Sequence, residues 1–334
     1  MSLAEVVATG ARGATGLNAL QLAMGVRARL FEPRACGFKD RRGRAIGLCR
    51  VGGLPADLHG YDRLLALAAP ALREATAGQP PATVPLLLAL PEAGRPDDDD
   101  RFDTTFLAEL AQRADVTIIR GRSEVVRRGH AGMAWVLDEA VRLLRAGAPT
   151  VVVGGVDSYY EPATLQWLDE AYRLHSLEAA NGFIPGEAAA FLVLRAAGAK
   201  PRAGEAAAPC RLVALARDEE HAVLDDEEPN LARAITKVAC EVGAREAPWV
   251  LCDVNGERHR LREWRMVAYR EDLSAGAQLR LPHEIGDVGA ASGAVMMCLA
   301  TSYWRLGCAP GSRAVILLSS EGTERGALLL EAAS

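Results

Sequence analysis

The sequence predicts an α/β fold made of two similar halves, and three observations carry the prediction. Apolar runs of strand character alternate with helix-period patterns along the chain, as helices covering sheets require. With 50% hydrophobic content, the 334 residues can bury a large core. The order of elements after residue 205 repeats, in kind, the order before residue 200.

Strands are expected at 5–9, 84–90, 116–119, 150–153, 189–194, 210–214, 249–254, 314–318 and 327–330. Each is a short apolar run, and Thr150-Val151-Val152-Val153 is β-branched at every position. Helices are expected at 17–26, 61–75, 104–113, 130–146, 162–174, 230–242, 257–269 and 289–307. Two segments read as linkers. GRPDDDDRFD (94–103) is charged and reads as a solvated loop, and AAGAKPRAGEAAAPC (196–210) is rich in Ala, Gly and Pro. The second linker separates an N-terminal half, 1–200, from a C-terminal half, 205–334.

Net charge is −5, and no basic stripe is evident, which argues against nucleic acid as a partner. The seven cysteines (36, 49, 210, 240, 252, 298, 308) form no C-x-x-C pair, so they read as reduced, small core residues. His259 with Cys252, and His221 with the acids at 218–220, lack zinc spacing, and the acidic run 225–228 reads as a solvated loop. No metal and no cofactor is therefore expected. The start lacks a charged segment followed by an apolar one, and no apolar run approaches a membrane span, so a cytoplasmic location is expected.

Five segments carry a family likeness. RGHAGMAWVLDEAVRLLRAGAPTVVVGGVDS (128–158) and NGFIPGEAAAFLVL (181–194) are the most informative. VVATGARGATGLNALQLAMGVRARLFEP (6–33) lies near the start, and LPHEIGDVGAASGAVMMCLA (281–300) and VILLSSEGTERGALLLE (315–331) lie near the end. Together they resemble the β-ketoacyl synthase family of the thiolase superfamily. The resemblance also accounts for the glycines at 10–16, which alone are a weak dinucleotide-loop pattern. It implies a five-layered helix–sheet–helix–sheet–helix fold and a homodimer in which the strand before His130 pairs with its symmetry mate. Arg120, Arg122, Arg127 and Arg128 flank that strand and are expected at the dimer seam. The chain is also shorter than usual members, chiefly in the first half's insertions, which implies a shallower pocket.

The same resemblance implies a reactive cysteine at a helix N-terminus, two histidines and a lysine. The cysteine position holds His130, or Gly129 if a one-residue gap falls elsewhere. The first histidine corresponds to Asn255, the second to Asp287 and the lysine to Pro282; the closing glycine turn is altered around Glu321-Gly322-Thr323. His130 reads as a base or acyl acceptor, or as a capping or core histidine. Asp287 reads as a general base or a helix cap, and Asn255 as an oxyanion donor or a turn residue. The three are expected to converge, with His283 or Glu284 as further members.

Two functions follow. One is a non-catalytic accessory subunit or adaptor, partnered by a catalytic synthase subunit, an acyl carrier protein or a secretion-system component, possessing at most a remnant acyl pocket. The alternative is an acyl-thioester hydrolase or acyltransferase of altered mechanism using His130 and Asp287.

Overall fold

The runs at 150–153 and 189–194 are apolar without alternation because both faces of their strands are covered: nearly every residue of the two is buried. The computed structural model describes residues 2–78, 83–96, 98–177, 179–199, 207–222 and 229–333. It begins with β1 (Ala4–Gly13), α1 (Ala19–Arg27) and the hairpin β2 (Arg34–Lys39) and β3 (Ala45–Leu48). Then come α2 (Gly60–Thr76), β4 (Leu86–Ala89), α3 (Arg101–Thr104), α4 (Phe106–Ala114), β5 (Glu124–Val126), α5 (Gly132–Arg145), β6 (Thr150–Ser158), α6 (Pro162–Glu170) and β7 (Glu187–Ala196). The rest is β8 (Cys210–Glu219), α7 (Arg233–Glu241), β9 (Trp249–Cys252), α8 (Arg258–Arg270), β10 (Ala277–Arg280), α9 (Pro282–Ile285), α10 (Ser292–Arg305), β11 (Arg313–Ser319) and β12 (Glu324–Ala332).

The strands lie in the order β5-β4-β6-β7-β1 and, continuing, β8-β12-β11-β9-β10. Counted outward from the middle, the second set repeats the first strand for strand, with the same parallel and antiparallel pairs. A short antiparallel pairing of Ala4–Val6 with 210–212 joins them. Three apolar cores separate the layers. α2 and α4 cover the outer face of the first set, and α7 and α8 that of the second. α5 and α10 fill the space between. The result is the expected five layers, and α10 is buried from Ser292 to Tyr303 because sheets lie on both sides of it.

Several local expectations need correction. The run 116–119 makes only a single bridge, Ile118 to Val84, and the edge strand is β5. Ser123 Oγ accepts the Leu86 N–H at 3.0 Å, and a 3-10 turn at Arg120–Arg122 intervenes, so the ladder restarts later. α6 stops at Glu170, four residues early, and left-handed Tyr172 follows at φ +56°. The hairpin β2–β3 and the edge strand β10 were not foreseen, being short and largely exposed. The 94–103 segment is not simply solvated. Arg95 reaches in to ion-pair with buried Asp157 at 2.9 Å, and α3 starts inside it. Lys200 and the acidic run 225–228 lie outside the described residues. Cys252 is buried in β9, but Cys240 is exposed and Cys308 half-buried. Among the described residues no cluster of His, Cys, Asp and Glu has metal-site geometry, and no helix is long and apolar enough to cross a membrane.

Candidate functional site

Two matching turns build the site. Gly129–Ala131 forms a 3-10 turn that opens α5, and Gly289–Ala291 does the same for α10. Gly129 has φ +56° and Gly289 +47°, left-handed backbone that glycine adopts without strain. A carboxyl lies against each. A Cβ added at Gly129 would stand 2.1 Å from Glu92 Oε1, and one at Gly289 1.9 Å from Asp157 Oδ2. A side chain at position 129 would meet both left-handed backbone and the Glu92 carboxyl, and the first side chain of the turn is that of His130.

His130, Asn255 and Asp287 are brought together, as expected. His130 Nε2 lies 2.7 Å from Asp287 Oδ1, and Asn255 Nδ2 donates to Asp287 Oδ2 at 2.7 Å. Two of the alternative readings hold at once. Asp287 Oδ1 also accepts the Gly289 N–H at 3.0 Å, so it caps the turn while pairing with the histidine. Asn255 Oδ1 accepts the Glu257 N–H at 3.0 Å, which makes it a turn residue too. Exposures of 2% for His130, 3% for Asn255 and 0% for Asp287 seal the trio from solvent. The remaining candidates stand apart. Pro282 is buried at the first position of α9 and adds no polar group, His283 is exposed, and Glu284 lines a separate cavity beside Thr15 and Cys49.

A charged shell surrounds the trio. Arg260, on α8, approaches His130 Nδ1 with Nη2 at 3.2 Å. It also stands 3.7 Å from Asp253 Oδ1 and 3.9 Å from Glu257 Oε2. Arg173 grips Glu257 (2.7 and 2.9 Å) and Glu321 (both 2.6 Å), and the Glu321 N–H donates to Glu92 at 3.1 Å. Of these only Glu321, in the altered closing turn, was named from sequence, and none was given a chemical role. The available signal was Glu257, Arg260, Glu263, Trp264 and Val267 sharing one helical face, but a face so charged reads as solvated. Arg260 Nε and Nη1 have no hydrogen-bond partner among the described residues, and an adjoining cavity of about 10 Å³ has room for one water.

The charges act against one another on one ring. Burial and the Arg260 guanidinium push His130 towards its neutral form, but the Asp287 carboxylate carries the ring above its ordinary pKa. An Arg260 hydrogen bond needs a bare Nδ1, so protonation there would set two donors face to face. Burial alone would raise the Asp287 carboxyl, yet His130, Arg260 and the Asn255 amide hold it well below the usual range. Glu92 is raised by burial and by the neighbouring Glu321 carboxylate. Both ring nitrogens of His130 are thus engaged, and neither faces open space.

Of the four arginines named before His130, Arg120 and Arg122 are exposed and the other two find partners within the chain. Arg127 pairs with Asp98 and Asp103, and Arg128 with Glu219 and Glu324.

No protein-family model matches the chain, and no curated protein matches its sequence. Solved structures match over almost its whole length. The ishigamide ketosynthase/chain length factor superposes with a TM-score of 0.75 at 18% identity, covering 99% of each chain. The ketosynthase ApeO in complex with its chain length factor ApeC, from Xenorhabdus doucetiae, gives 0.78 at 14% identity, over 99% of this chain and 98% of that one. AntDE:AntF, a type II polyketide synthase acyl-carrier protein in complex with its ketosynthase, gives 0.77 at 14% identity, over 99% of each. The fold is the thiolase-like fold of the ketosynthases.

Proposed function

We propose that this protein is a non-catalytic, β-ketoacyl synthase-like subunit that acts through a protein partner. One observation carries the reading. At the position that the family resemblance gives to the acyl-accepting nucleophile stands His130, buried, with its two nitrogens held by Asp287 and Arg260. A nucleophile must reach its substrate with a free lone pair, and His130 offers none. The residues at the other positions that the resemblance singles out have the same sense, because Asn255 and Asp287 join His130 in an internal network and Pro282 supplies no polar side chain. Incubation with acyl-CoA and acyl-carrier thioesters is expected to release no thiol and leave no acyl adduct by mass spectrometry. Turnover that disappears in His130→Ala would overturn the reading in favour of an acyl-thioester hydrolase or acyltransferase.

Named neighbours suggest the kind of partner: a ketosynthase solved with its chain length factor, and an acyl-carrier protein solved with its ketosynthase. A catalytic synthase subunit or an acyl carrier protein is accordingly the class of partner we favour, in a reduced cytoplasmic setting, with the chain divided into halves at 200–205. β5 supports association. It is an edge strand of three residues, and cavities of about 540 Å³ and 360 Å³ lie on its two sides. We expect the protein to sediment as a dimer at micromolar concentration. Val125→Pro, which removes a donor from that edge, is expected to shift it to monomer. A wild-type monomer would count against homodimer pairing through β5.

A further inference from the structure

The acidic overall balance covers a local concentration of the opposite sign. Residues 27–50 hold eight basic and two acidic side chains, a net of +6 in a chain whose total is −5. Both acids are already occupied: Glu32 pairs with Arg34 at 2.8 Å and Asp40 with Arg44 at 2.8 Å. Arg27, Arg29, Arg34, Lys39, Arg41 and Arg42 are exposed on the end of α1 and along the β2–β3 hairpin. Arg50 bonds the Tyr160 hydroxyl at 3.1 Å and lies over its ring, 5.0 Å from the centroid, and no carboxylate ion-pairs with it among the described residues.

Next to these charges lies an uncovered apolar face. Ala19, Leu22, Ala23 and Val26 anchor α1 to the core. The opposite side presents Leu17, Leu20 and Met24, 47%, 54% and 43% exposed at three- and four-residue spacing, followed by Leu30 at 59%. Leu30 also borders a cavity of about 520 Å³, whose wall includes Thr15, Phe31, Arg34, Cys49 and Arg50.

We propose that this face docks an acidic amphipathic helix of a partner protein. An apolar side chain of that helix enters the cavity between Leu30 and Arg50, and its carboxylates meet the arginines of the rim. Charge complementarity selects an acidic occupant. The cavity selects a protein, because a bilayer surface cannot send a discrete knob into a recess, whereas a helix does so at every third or fourth residue. The inference deepens the partner-subunit reading but is tested without thioester chemistry, so either can fail alone.

The test uses the full chain and fluorescence anisotropy with a labelled helical peptide of Leu and Glu at three- and four-residue spacing. The matched Leu/Lys peptide and vesicles of phosphatidylcholine with phosphatidylglycerol serve as alternative probes. Binding of the Leu/Glu peptide alone is expected, weakening about tenfold or more in the pair Leu20→Asp with Met24→Asp. A similar loss is expected in Arg34→Glu with Arg50→Glu, and on raising salt until charges beyond a few ångströms are screened. Leu20 and Met24 point away from the core, so thermal melting of that pair should match wild type. If the Arg50 variant does not fold, Arg29→Glu with Arg34→Glu, both exposed, replaces it. No binding of the Leu/Glu peptide, equal binding by the variants, or equal binding of the Leu/Lys peptide or the vesicles would overturn the proposal. So would a self-associated form that Leu20→Asp dissolves, because the occupant would then be a second copy of this chain.

Discussion

Replacing Arg63 by leucine is expected to remove about 3–5 kcal/mol of stability, the usual cost of stranding one charge of a buried pair. Arg63 and Glu187 both have side chains at 0% exposure, joined at 2.6 Å through Nε and 2.7 Å through Nη2. The rest of the guanidinium is satisfied by the Pro55 and Leu58 carbonyls at 3.2 and 2.9 Å. Glu187 also accepts the Val51 N–H at 2.8 Å and the Ser158 hydroxyl at 2.7 Å. With Arg63 gone, that carboxylate would sit among neutral donors in the space between α2 and the sheet. The double variant Arg63→Leu with Glu187→Leu is expected to recover part of the loss, because no ion then stays unpaired. Urea unfolding of wild type, the double variant and each single variant, Arg63→Leu and Glu187→Leu, measures it. A single-variant loss below about 1 kcal/mol, or a double variant worse than the sum of the singles, would show that the pair is not the keystone the geometry makes it.

Asp287→Ala is the second large effect, again about 3–5 kcal/mol by the same reasoning. It strands the His130 Nε2 proton, the Asn255 amide and the Gly289 N–H, and takes a counter-charge from Arg260. Asp287→Asn keeps the shape and separates charge from packing through pH. The folded-state pKa of Asp287 lies below its unfolded value, so its contribution is fully present above about pH 5 and is lost as pH falls below the ordinary carboxylate range. His130 has the opposite sign. Its folded pKa is raised, so its contribution is present below about pH 6.5 and is lost as pH rises through the folded value. The stability difference between wild type and Asp287→Asn should therefore shrink at both ends, towards acid because of Asp287 and above neutrality because of His130. A difference constant from pH 3 to pH 9 would mean that the Asp287–His130 charge interaction contributes nothing.

Much of the fold was legible because its signals are local. The β-branched run at 150–153 and the apolar run at 189–194 read as strands whatever lies beside them, and they became β6 and β7. The edge of the first strand set was misplaced because 116–119 carries the same β-branched signal as a true strand. What displaced it, the Ser123 hydroxyl taking the Leu86 N–H, is a contact across 37 residues. At the site, the motif order located His130, Asn255 and Asp287, and the structure brings them within hydrogen-bond reach. Arg260, Arg173 and Glu92 could not be found the same way. For Arg260 a charged residue at a buried helical position has the same local pattern as one on a solvated face, and Arg173 and Glu92 lie in connecting segments, where charge is expected anyway.

By itself, then, the sequence determined the alternation of strands and helices, the repeated order of elements in the two halves, and the residue types at positions 130, 255, 282 and 287. Those properties reside in residue type and spacing, which survive without contacts. The tertiary structure alone decided that His130 and Asp287, 157 residues apart, meet at 2.7 Å in a sealed network. It also left the Leu17–Leu30 face and its arginines uncovered. Whether a charge is bound internally or offered to a partner depends on what lies across space from it, and that is settled only when the layers close.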